Sequence, residues 1–537
     1  MMSKHILYLN LNLPPVLFGH TLFAVKKPLL AFTLGLCLAT LPAFGQLALS
    51  DVQTIIDQAV TRAAQVSPSS MIAVVDREGF VLGVWMTTTN DPLPGTAAFT
   101  NILADAIAKG GTASYLSSDQ HAFTSRTAGF IVQQNFPPNV KNSGPGPLVG
   151  VNFSNLQFSD INKIKNYASP IVFSNSPGNV LIPVPQPVTG GLAGTPGGIP
   201  LFKDGHLVGG IGVAHDGDNP TAVQIDHQFA TVDEDVALAG QTGYAPDPIY
   251  NGDNVTINGF RLAYINSATS LGPLLTSLPG TNVPGYPLMP AKPAFPYPTI
   301  FLGGQTNTIR QPIVADTFAN PLGAARLSYA DVTNILGRAA NRARSTRAGI
   351  RLPRGQVAQV FITVVNNPGI NGVTPQVLGT ISTPGATIFS WDVAVQKART
   401  AVFFSSTNYA FSVRAVGFLA QEFYPPGINS TAPGLFWGLQ ERYSMFPQNV
   451  INPLDGVIVT NVPAIDPNLT NGITIFPGGF PLYRNGVVIG AIGVSGDGVD
   501  QDDIIAASGT QDFLAPVAIR TDQFFYSNAR LPYAKFP

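Results

Sequence analysis

Several side chains that can do chemistry occur twice in the chain, at matching positions. Lys109 is followed three residues later by Thr112, and Lys397 is followed in the same way by Thr400. An ammonium group here can pair with a ligand carboxylate, and so can the guanidinium of Arg399. The residue types leave two alternatives open, that the threonines only pack inside a helix and that the cations lie on a solvated helix face.

A histidine and a tyrosine also occupy matching positions, beyond these segments. His121 lies twelve residues after Lys109, and Tyr409 lies twelve residues after Lys397. Both side-chain types coordinate ferric iron in proteins, so the pair is a candidate for iron binding. The more ordinary interpretation is that two partly buried rings fill one structural niche.

The segments that carry these residues are themselves repeated. Residues 117–138 align without a gap with residues 405–426. A second aligned stretch reads PGGIPLFKDGHLVGGIGVAHDG at 196–217 and PGGFPLYRNGVVIGAIGVSGDG at 477–498. Agreement of this length does not arise by chance, so we infer one domain written twice.

Each copy of the second stretch is predicted to form a β-hairpin. Apolar runs flank Asp204-Gly205 or Asn485-Gly486, and these dipeptides supply the positive φ angles of a tight type I′ turn. Glycines of the returning strand, Gly490 and Gly493 among them, remove side chains where a helix, another backbone or a flat ligand must come close. The two glycines are therefore candidate ligand contacts as well as packing positions.

Helices and further strands precede this hairpin. Apolar residues at helical spacing predict a first helix capped by Ser50 in one copy and by Ser328 in the other. A second helix is predicted at 101–115 and at 391–404, after two strand-like runs in each copy.

A last helix follows the hairpin in both copies. It is predicted at 232–240 and from Asp500 onward, with Asp500 as the N-cap and Asp503 as an acidic residue in the first turn. Each copy therefore reads as helix, hairpin, helix, hairpin, helix.

Length and composition support two domains and exclude one class of partner. The chain has 537 residues, of which 45% are hydrophobic and only 11% charged, with 54 Gly and 47 Pro. A net charge of −1 gives no basic surface for nucleic acid. We predict copy one at residues 46–268, a Pro/Gly-rich linker at 269–325 and copy two at 326–537.

The first 45 residues resemble a secretory signal. Lys26-Lys27 precedes an apolar segment, Leu29 to Leu41, and then small residues before Gln46. We therefore predict a signal peptide at 1–45 and export to the periplasm or beyond, with an uncleaved anchor as the alternative. The one cysteine, Cys37, lies in this segment, so the mature chain would form no disulfide and no thiolate metal site. No membrane span is predicted in the mature chain.

Copy two resembles the GlcG/HbpS-like family, also called the haem-degrading domain family (DUF336-type). The resemblance rests on the motifs Lys397-Ala398-Arg399-Thr400-Ala401, Gly478-Gly479-Phe480-Pro481, Gly490 to Gly496 and Gln501-Asp502-Asp503. Copy one departs from the pattern, for example with Lys-Gly-Gly-Thr-Ala at 109–113. The resemblance implies two profilin-like α/β/α sandwiches of α+β type, each an antiparallel sheet flanked by helices, and an oligomeric protein.

The resemblance also implies haem or another small organic ligand. The candidate ligand-binding residues are Lys109, Thr112, His121, Lys397, Arg399, Thr400, Tyr409, Gly490 and Gly493. His121 and Tyr409 are the candidate ligands of a haem iron. His215 and His227, which occur only in copy one, are interpreted as part of a polar loop rather than as a metal site.

Three hypotheses of function follow. The first is an exported tandem protein that binds haem or a related ligand. The second is an extracytoplasmic assembly or sensor-partner module without a cofactor. An enzyme acting on a small hydroxy acid or on haem is the weakest, because no residue pair has the type and spacing of an acid–base or nucleophile–base couple, and no catalytic residue is assigned.

Overall fold

The computed structural model describes most of the chain beyond the predicted signal peptide. The described residues are 45–89, 93–133, 136–138, 140, 143, 146–148, 192–214, 229–291, 297–349, 356–428, 430–437, 439, 450–451, 458–459 and 467–535. Apart from Gly45, the predicted signal peptide lies outside them, as do His215 and His227. Residues 44–537 form one compact unit.

Copy one contains a sheet between two layers of helices. Its elements are α1 (Leu49–Val66), β1 (Met71–Asp76), β2 (Val81–Met86), α2 (Ala97–Leu116), α3 (Ser125–Ile131), β3 (Gly198–Lys203), β4 (His206–Ala214), α4 (Val232–Gly240), β5 (Thr256–Ile257) and β6 (Phe260–Arg261). The sheet has the order β3-β4-β1-β2, and all these neighbours are antiparallel.

Side chains of β1 alternate between the two helical layers, as the period of a strand requires. Ile72 and Val74 pack in the cluster that contains α1 and α4. Met71, Ala73 and Val75 pack in the cluster that contains α2. The core of this copy is therefore split by its sheet into two apolar layers.

Copy two repeats this architecture. Before its first helix come β7 (Thr281–Asn282), β8 (Thr299–Leu302) and β9 (Gln305–Gln311). Its own elements are α5 (Tyr329–Ser345), β10 (Phe361–Asn366), β11 (Val377–Ser382), α6 (Phe389–Phe403), α7 (Val413–Leu419), β12 (Val450–Ile451), β13 (Ile458–Val459), β14 (Gly479–Arg484), β15 (Val487–Ser495), α8 (Val499–Gly509), β16 (Phe525–Tyr526) and β17 (Ala529–Arg530).

The two sheets agree in register as well as in strand order. In each, the central strand pairs with the returning hairpin strand, as Met71 does with Ala214 and Phe361 with Ser495. Each also has an irregularity at the same place, after Val74 in β1 and after Val364 in β10. The predicted α+β fold, two sandwiches with antiparallel sheets, is confirmed.

The segment predicted as a linker contributes strands. Within 269–325, β7 pairs with β2 at the edge of the first sheet. The hairpin β8–β9 pairs with β11 at the edge of the second sheet, giving it six strands. Sequence reasoning missed β7 because a two-residue strand between prolines has no period to detect. It missed β8 and β9 because the whole Pro/Gly-rich segment was interpreted as a linker. The limits predicted for copy one (46–268), the linker (269–325) and copy two (326–537) stay a prediction.

The predicted helix starts were partly right. Ser328 is the N-cap of α5, and its hydroxyl accepts a hydrogen bond from the backbone N–H of Asp331. The prediction for Ser50 was wrong, because α1 begins at Leu49 and its N-cap is Ala48. Within the described residues, no helix is both long and apolar enough to cross a membrane.

The capping box of α5 predicts a pH-dependent stability. The carboxylate of Asp331 accepts hydrogen bonds from the backbone N–H of Ser328 at 2.8 Å and from Arg484 at 3.0 Å. Burial opposes ionisation, but these hydrogen bonds outweigh it and hold the pKa of Asp331 below its usual value. A carboxyl group of this kind stabilises the fold above its unfolded-state pKa and loses that contribution as the pH falls through the folded-state pKa.

We therefore expect Asp331→Asn to lower the free energy of unfolding at pH 7 by about 1 kcal/mol. The difference from the wild type should shrink as the pH falls below about 4. Urea unfolding at several pH values measures both effects. A difference that stays constant down to pH 2 would contradict this role of the carboxylate.

Candidate functional site

A buried lysine lies at the same place in each copy. The Nζ atom of Lys397, on α6, is 2.8 Å from Asp502 Oδ2 and 2.8 Å from the carbonyl oxygen of Val494. Lys109, on α2, makes the same two contacts with Asp233 at 2.9 Å and Val213 at 3.0 Å. Both lysine side chains are at most 1% exposed. The alternative that these cations lie on a solvated helix face was therefore wrong.

Glycines at the start of the hairpin make room for these ion pairs. Gly478 has a φ of +117°, and a Cβ atom there would lie 2.6 Å from the oxygen of Val494 and 3.0 Å from the Nζ of Lys397. Gly197 has a φ of +116°, and a Cβ atom there would lie 2.6 Å from the oxygen of Val213 and 2.9 Å from the Cβ of Asp233. Only glycine combines this backbone conformation with so close an approach. The first of the two adjacent glycines in each hairpin thus leaves space for the ion pair between the lysine and its aspartate.

An arginine holds the first turn of the last helix in both copies. Arg126 binds Glu234 through two nitrogen–oxygen contacts of 2.7 and 3.0 Å. Arg414 binds Asp503 at 2.8 Å and Asp500 at 2.7 Å. Burial opposes the charge on Arg414, but the two carboxylates outweigh it and raise its pKa.

The carboxylate of Asp500 is held by cations as well. Burial opposes its ionisation, but hydrogen bonds from Lys535, at 2.8 Å, and from Arg414 outweigh it, so its pKa is lowered. The acidic residues in this first turn of α8 are therefore matched by neighbouring cations. This pairing weakens the repulsion that the carboxylates exert on an anion.

A small cavity of about 10 Å³ lies beside Lys397. It lies between α6, the end of β15 and the start of α8. One of its lining residues, Leu148, comes from copy one. Its lining residues are Leu148, Phe389, Val393, Lys397, Phe476, Ser495, Gly498, Val499 and Asp502. The cavity therefore combines an apolar wall with a buried ion pair and a hydroxyl group.

The start of α8 borders this cavity. Its N-cap is Gly498, which has no side chain with which to cap the first turn. The matching helix of copy one has Thr231 as N-cap, whose hydroxyl accepts from the N–H of Glu234 at 3.2 Å. The prediction that Asp500 is an N-cap was wrong, because the helix begins one residue before it.

Uncapped N–H groups at a helix start attract anions. The cavity beside Lys397 therefore has the chemistry to take a carboxylate at one end and an apolar group at the other.

The predicted threonines are buried and bind backbone. The hydroxyl of Thr112 accepts from the N–H of Ala193 at 2.9 Å, and that of Thr400 accepts from the N–H of Thr474 at 3.1 Å. Both hydrogen bonds connect the residues that precede the β-hairpin to the second helix of the same copy.

Arg399, the residue before Thr400 on the same helix, is buried too. It donates to the carbonyl of Pro375 at 3.2 Å and to the side-chain oxygen of Asn471 at 3.0 Å. Thr112, Thr400 and Arg399 are not among the residues that line the cavity.

His121 and Tyr409 have different surroundings. His121 is 2% exposed, and its ring nitrogens are 2.9 Å from the hydroxyl of Ser118 and 2.9 Å from the carbonyl oxygen of Leu116. Tyr409 is 50% exposed, and its ring packs against Phe524. Neither lines the cavity, and their role as iron ligands stays a prediction.

The predicted glycines pack against backbone. A Cβ atom on Gly493 would lie 2.0 Å from the carbonyl oxygen of Ala394 on α6, and one on Gly490 would lie 2.4 Å from the oxygen of Val365. Of the two roles that the sequence left open, close packing is the one that the structure shows, and Lys397 alone of the predicted ligand-binding residues lines the cavity.

Sequence reasoning missed the carboxylate partners and the wall from copy one. Asp233 and Asp502 occupy matching positions at the start of the last helix, just as Lys109 and Lys397 match on the second helix. Two opposite charges that recur together in both copies could have suggested a pair. Nothing in the sequence pointed to Leu148. Among the described residues, no group of three or more His, Cys, Asp or Glu could hold a metal ion.

Three solved structures are similar to parts of this chain. A PduOC–haem complex is 23% identical over 36% of this chain and 98% of its own, with a TM-score of 0.22. Protein ORFY of Klebsiella pneumoniae, a DUF336 protein, is 19% identical over 36% and 96%, with a TM-score of 0.23. A double mutant of HbpS from Streptomyces reticuli is 20% identical over 37% and 98%, with a TM-score of 0.21.

No curated protein matches the chain. One family model does, over a stretch that includes the candidate site. Except for Leu148, every residue that lines the cavity lies inside this stretch. The matching family is described as haem degrading protein HbpS-like, and it is over residues 353–511 that this chain is similar to it.

Proposed function

We propose that the chain is a ligand-binding protein and that copy two holds its ligand in the cavity between α6 and α8. The ligand has an apolar body and a carboxylate. The observation that carries this proposal is the start of α8, which has a glycine as its N-cap and borders an apolar cavity with a buried lysine on its wall. The similarity of residues 353–511 to the HbpS-like family supports a ligand related to haem.

The carboxylate would accept hydrogen bonds from the backbone N–H groups in the first turn of α8. These groups point out of a helix at its start and carry its positive partial charge. The ion pair of Lys397 and Asp502 forms the adjacent wall, where the ammonium adds a favourable field and Asp502 keeps the lysine charged. The ring of Phe389 and the side chains of Leu148 and Phe476 would contact the apolar body.

A whole haem does not fit this cavity as it stands. The volume of about 10 Å³ is about what one water molecule needs, and it is far below the range of about 300 to 1,000 Å³ typical of sites for drug-sized ligands. An iron atom also needs a side chain such as His, Tyr, Met or Cys, and the lining contains none of these. A ligand of either kind requires the side chains around the cavity to move apart. A small carboxylic acid requires less movement than haem, so it is the first candidate, and the family similarity makes haem the second.

Parallel titrations with two ligands test the proposal. Hemin binding is followed by the Soret band, and binding of benzoate, a small carboxylic acid with an apolar ring, is followed by calorimetry. We expect saturable binding of benzoate. Hemin that binds with similar stoichiometry would identify a haem-type ligand, whereas benzoate binding without hemin binding would identify a small acid. If neither ligand binds, the proposal is wrong.

A cavity-filling variant locates the site. Val499 lines the cavity and is only partly buried, so Val499→Trp fills the space without removing either charge of the lysine pair. We expect the dissociation constant to rise at least tenfold, which is about 1.4 kcal/mol. Val517→Trp, on a side chain that is 59% exposed, is the matched control and should bind like the wild type. Equal affinity in both variants would place the ligand elsewhere.

A further inference from the structure

Basic residues are concentrated in one part of copy two. Between Asp331 and Asp392 the sequence has six arginines and no acidic residue. Three of these arginines, Arg342, Arg344 and Arg347, are exposed at the end of α5 or just after it. We call these three residues the basic patch. A net charge near zero for the whole chain therefore coexists with a local excess of positive charge.

Within the described residues, no carboxylate neutralises the basic patch. The neighbouring Arg338 pairs with Asp512, whereas none of the three residues of the patch has an ion-pair partner in this part of the chain. Arg344 donates a hydrogen bond to the carbonyl oxygen of Gly303 at 3.2 Å, which orients the side chain without cancelling its charge. Because arginine stays protonated, the patch presents its full positive charge to the solvent.

The matching helix of copy one shows that the fold does not require this charge. α1 and α5 bury apolar residues at the same positions. Arg342 matches Arg62, and Arg62 pairs with Asp235 of α4 at 2.6 Å. In copy two the position of Asp235 is occupied by Ile504. The arginine is thus common to both copies, but its carboxylate partner is replaced by an isoleucine in copy two.

The other two arginines of the patch have no counterpart in copy one. Arg344 and Arg347 match Ala64 and Ser67. A cation near the last carbonyl groups of a helix is stabilised by the helix dipole, but α1 has no basic residue in its last turn. The basic patch is therefore a feature of the surface of copy two and not a requirement of the fold.

An apolar side chain lies on the same surface. Arg347 and Val357 face each other in an antiparallel β-bridge, and next to it the N–H of Ala358 donates to the carbonyl oxygen of Thr346 at 2.8 Å. Side chains that are directly opposite in such a bridge point to the same side. Val357 is 44% exposed. The surface therefore presents positive charge and an apolar group together.

This combination fits the interface of an anionic membrane. Guanidinium groups bind phosphate oxygens through paired hydrogen bonds, and an apolar side chain beside them can enter the boundary between headgroups and acyl chains. A duplex nucleic acid is bound through about 6 to 10 phosphate contacts, which is more than three arginines supply. Lipids move in the plane of the membrane, so their headgroups can gather beneath a small patch.

We propose that the basic patch docks the protein on a membrane surface that contains anionic phospholipids. Each arginine near such a surface should strengthen binding about fivefold. None of the residues of the patch lines the cavity beside Lys397, so the inference does not depend on the ligand proposed above.

Vesicle sedimentation tests the proposal. Vesicles of phosphatidylcholine alone are compared with vesicles of equal parts phosphatidylcholine and phosphatidylglycerol, and the readout is the ratio of the two partition coefficients. Every sample carries Lys26→Gln/Lys27→Gln, so that the predicted signal segment adds no basic charge. We expect a preference of about a hundredfold for the anionic vesicles at about 0.1 M salt, and almost none at about 1 M salt, where charges are screened. Equal binding to both kinds of vesicle at the lower salt concentration would overturn the proposal.

Two double variants locate the surface. Arg342→Gln/Arg347→Gln should lower binding to the anionic vesicles about thirtyfold. Arg261→Gln/Arg530→Gln, on exposed side chains outside the patch, removes the same charge and should bind like the parent. Equal losses in the two variants would show that only the total charge matters, which would overturn the assignment to the patch.

A third variant separates a loss of charge from a loss of folding. Arg342→Lys/Arg347→Lys keeps both charges and should retain most of the binding. A loss as large as that of the glutamine variant would contradict a contact based on charge. Binding to heparin or to duplex DNA without binding to the anionic vesicles would identify a polymeric partner and overturn the proposal of a lipid surface.

Discussion

Replacing Lys397 by Met is expected to lower the free energy of unfolding by about 3 to 5 kcal/mol. The lysine and its partner Asp502 are both almost completely buried, and their charged atoms are 2.8 Å apart. Without the ammonium, the carboxylate stays in a place where water cannot solvate it. The loss would also exceed the cost of the missing methylene contacts, because methionine fills a similar volume.

Urea unfolding measures this loss, and a double variant tests its cause. In Lys397→Met/Asp502→Leu no charge is left buried, so most of the stability should return. The result that contradicts this explanation is a double variant as unstable as the single one. Lys109→Met in copy one should behave like Lys397→Met, because Lys109 has the same two contacts.

Gly493→Ala is expected to destabilise copy two by about 1 to 3 kcal/mol, even though it adds only one methyl group. The new Cβ atom would lie 2.0 Å from the carbonyl oxygen of Ala394 and 2.6 Å from the nitrogen of Ala398. Both atoms belong to the backbone of α6, so the helix must move away from the sheet. That movement would also disturb Lys397, which lies on the same helix.

Gly337→Ala is the control, and its effect on stability is expected to have the opposite sign. Gly337 lies inside α5, and the nearest atom to its added Cβ is 3.9 Å away. Alanine is therefore expected to stabilise the protein by about 0.5 to 1 kcal/mol. Thermal unfolding of both variants compares the two effects. A neutral Gly493→Ala would mean that the sheet and α6 are not packed as closely as described.

Local sequence signals were sufficient for most of the fold. The turns at Asp204-Gly205 and Asn485-Gly486 predicted both hairpins, and the structure has them as β3–β4 and β14–β15. The helix at 232–240 was predicted with its observed limits. These elements were predictable because a turn dipeptide or an apolar period lies within a few neighbouring residues.

The site was only partly predictable, because its members come from distant parts of the chain. Lys397 was identified, but its partner Asp502 is 105 positions away, between two acidic residues that predict only the start of a helix. Leu148 belongs to the other copy. Pairing over such distances depends on the tertiary fold, which neither propensity nor periodicity specifies.

His121 and Tyr409 show that matching positions can have different surroundings. Within each copy they follow the same helix, and the sequence gives no reason for different exposure. His121 is nevertheless 2% exposed and Tyr409 50% exposed. This difference depends on the tertiary fold around each residue, which the alignment of the two copies does not specify.

The strands supplied by residues 269–325 decide where the protein can be divided. Residues up to Ala291 are bonded to copy one, since the N–H of Ala291 donates to Leu47 and that of Met289 to Leu82. From Pro298 onward the backbone pairs with copy two. A fragment that ends at residue 268 would lose β7 and leave β2 as an open sheet edge, which invites aggregation. A proteolytic or genetic cut between Ala291 and Tyr297 would leave each half with its own border strands.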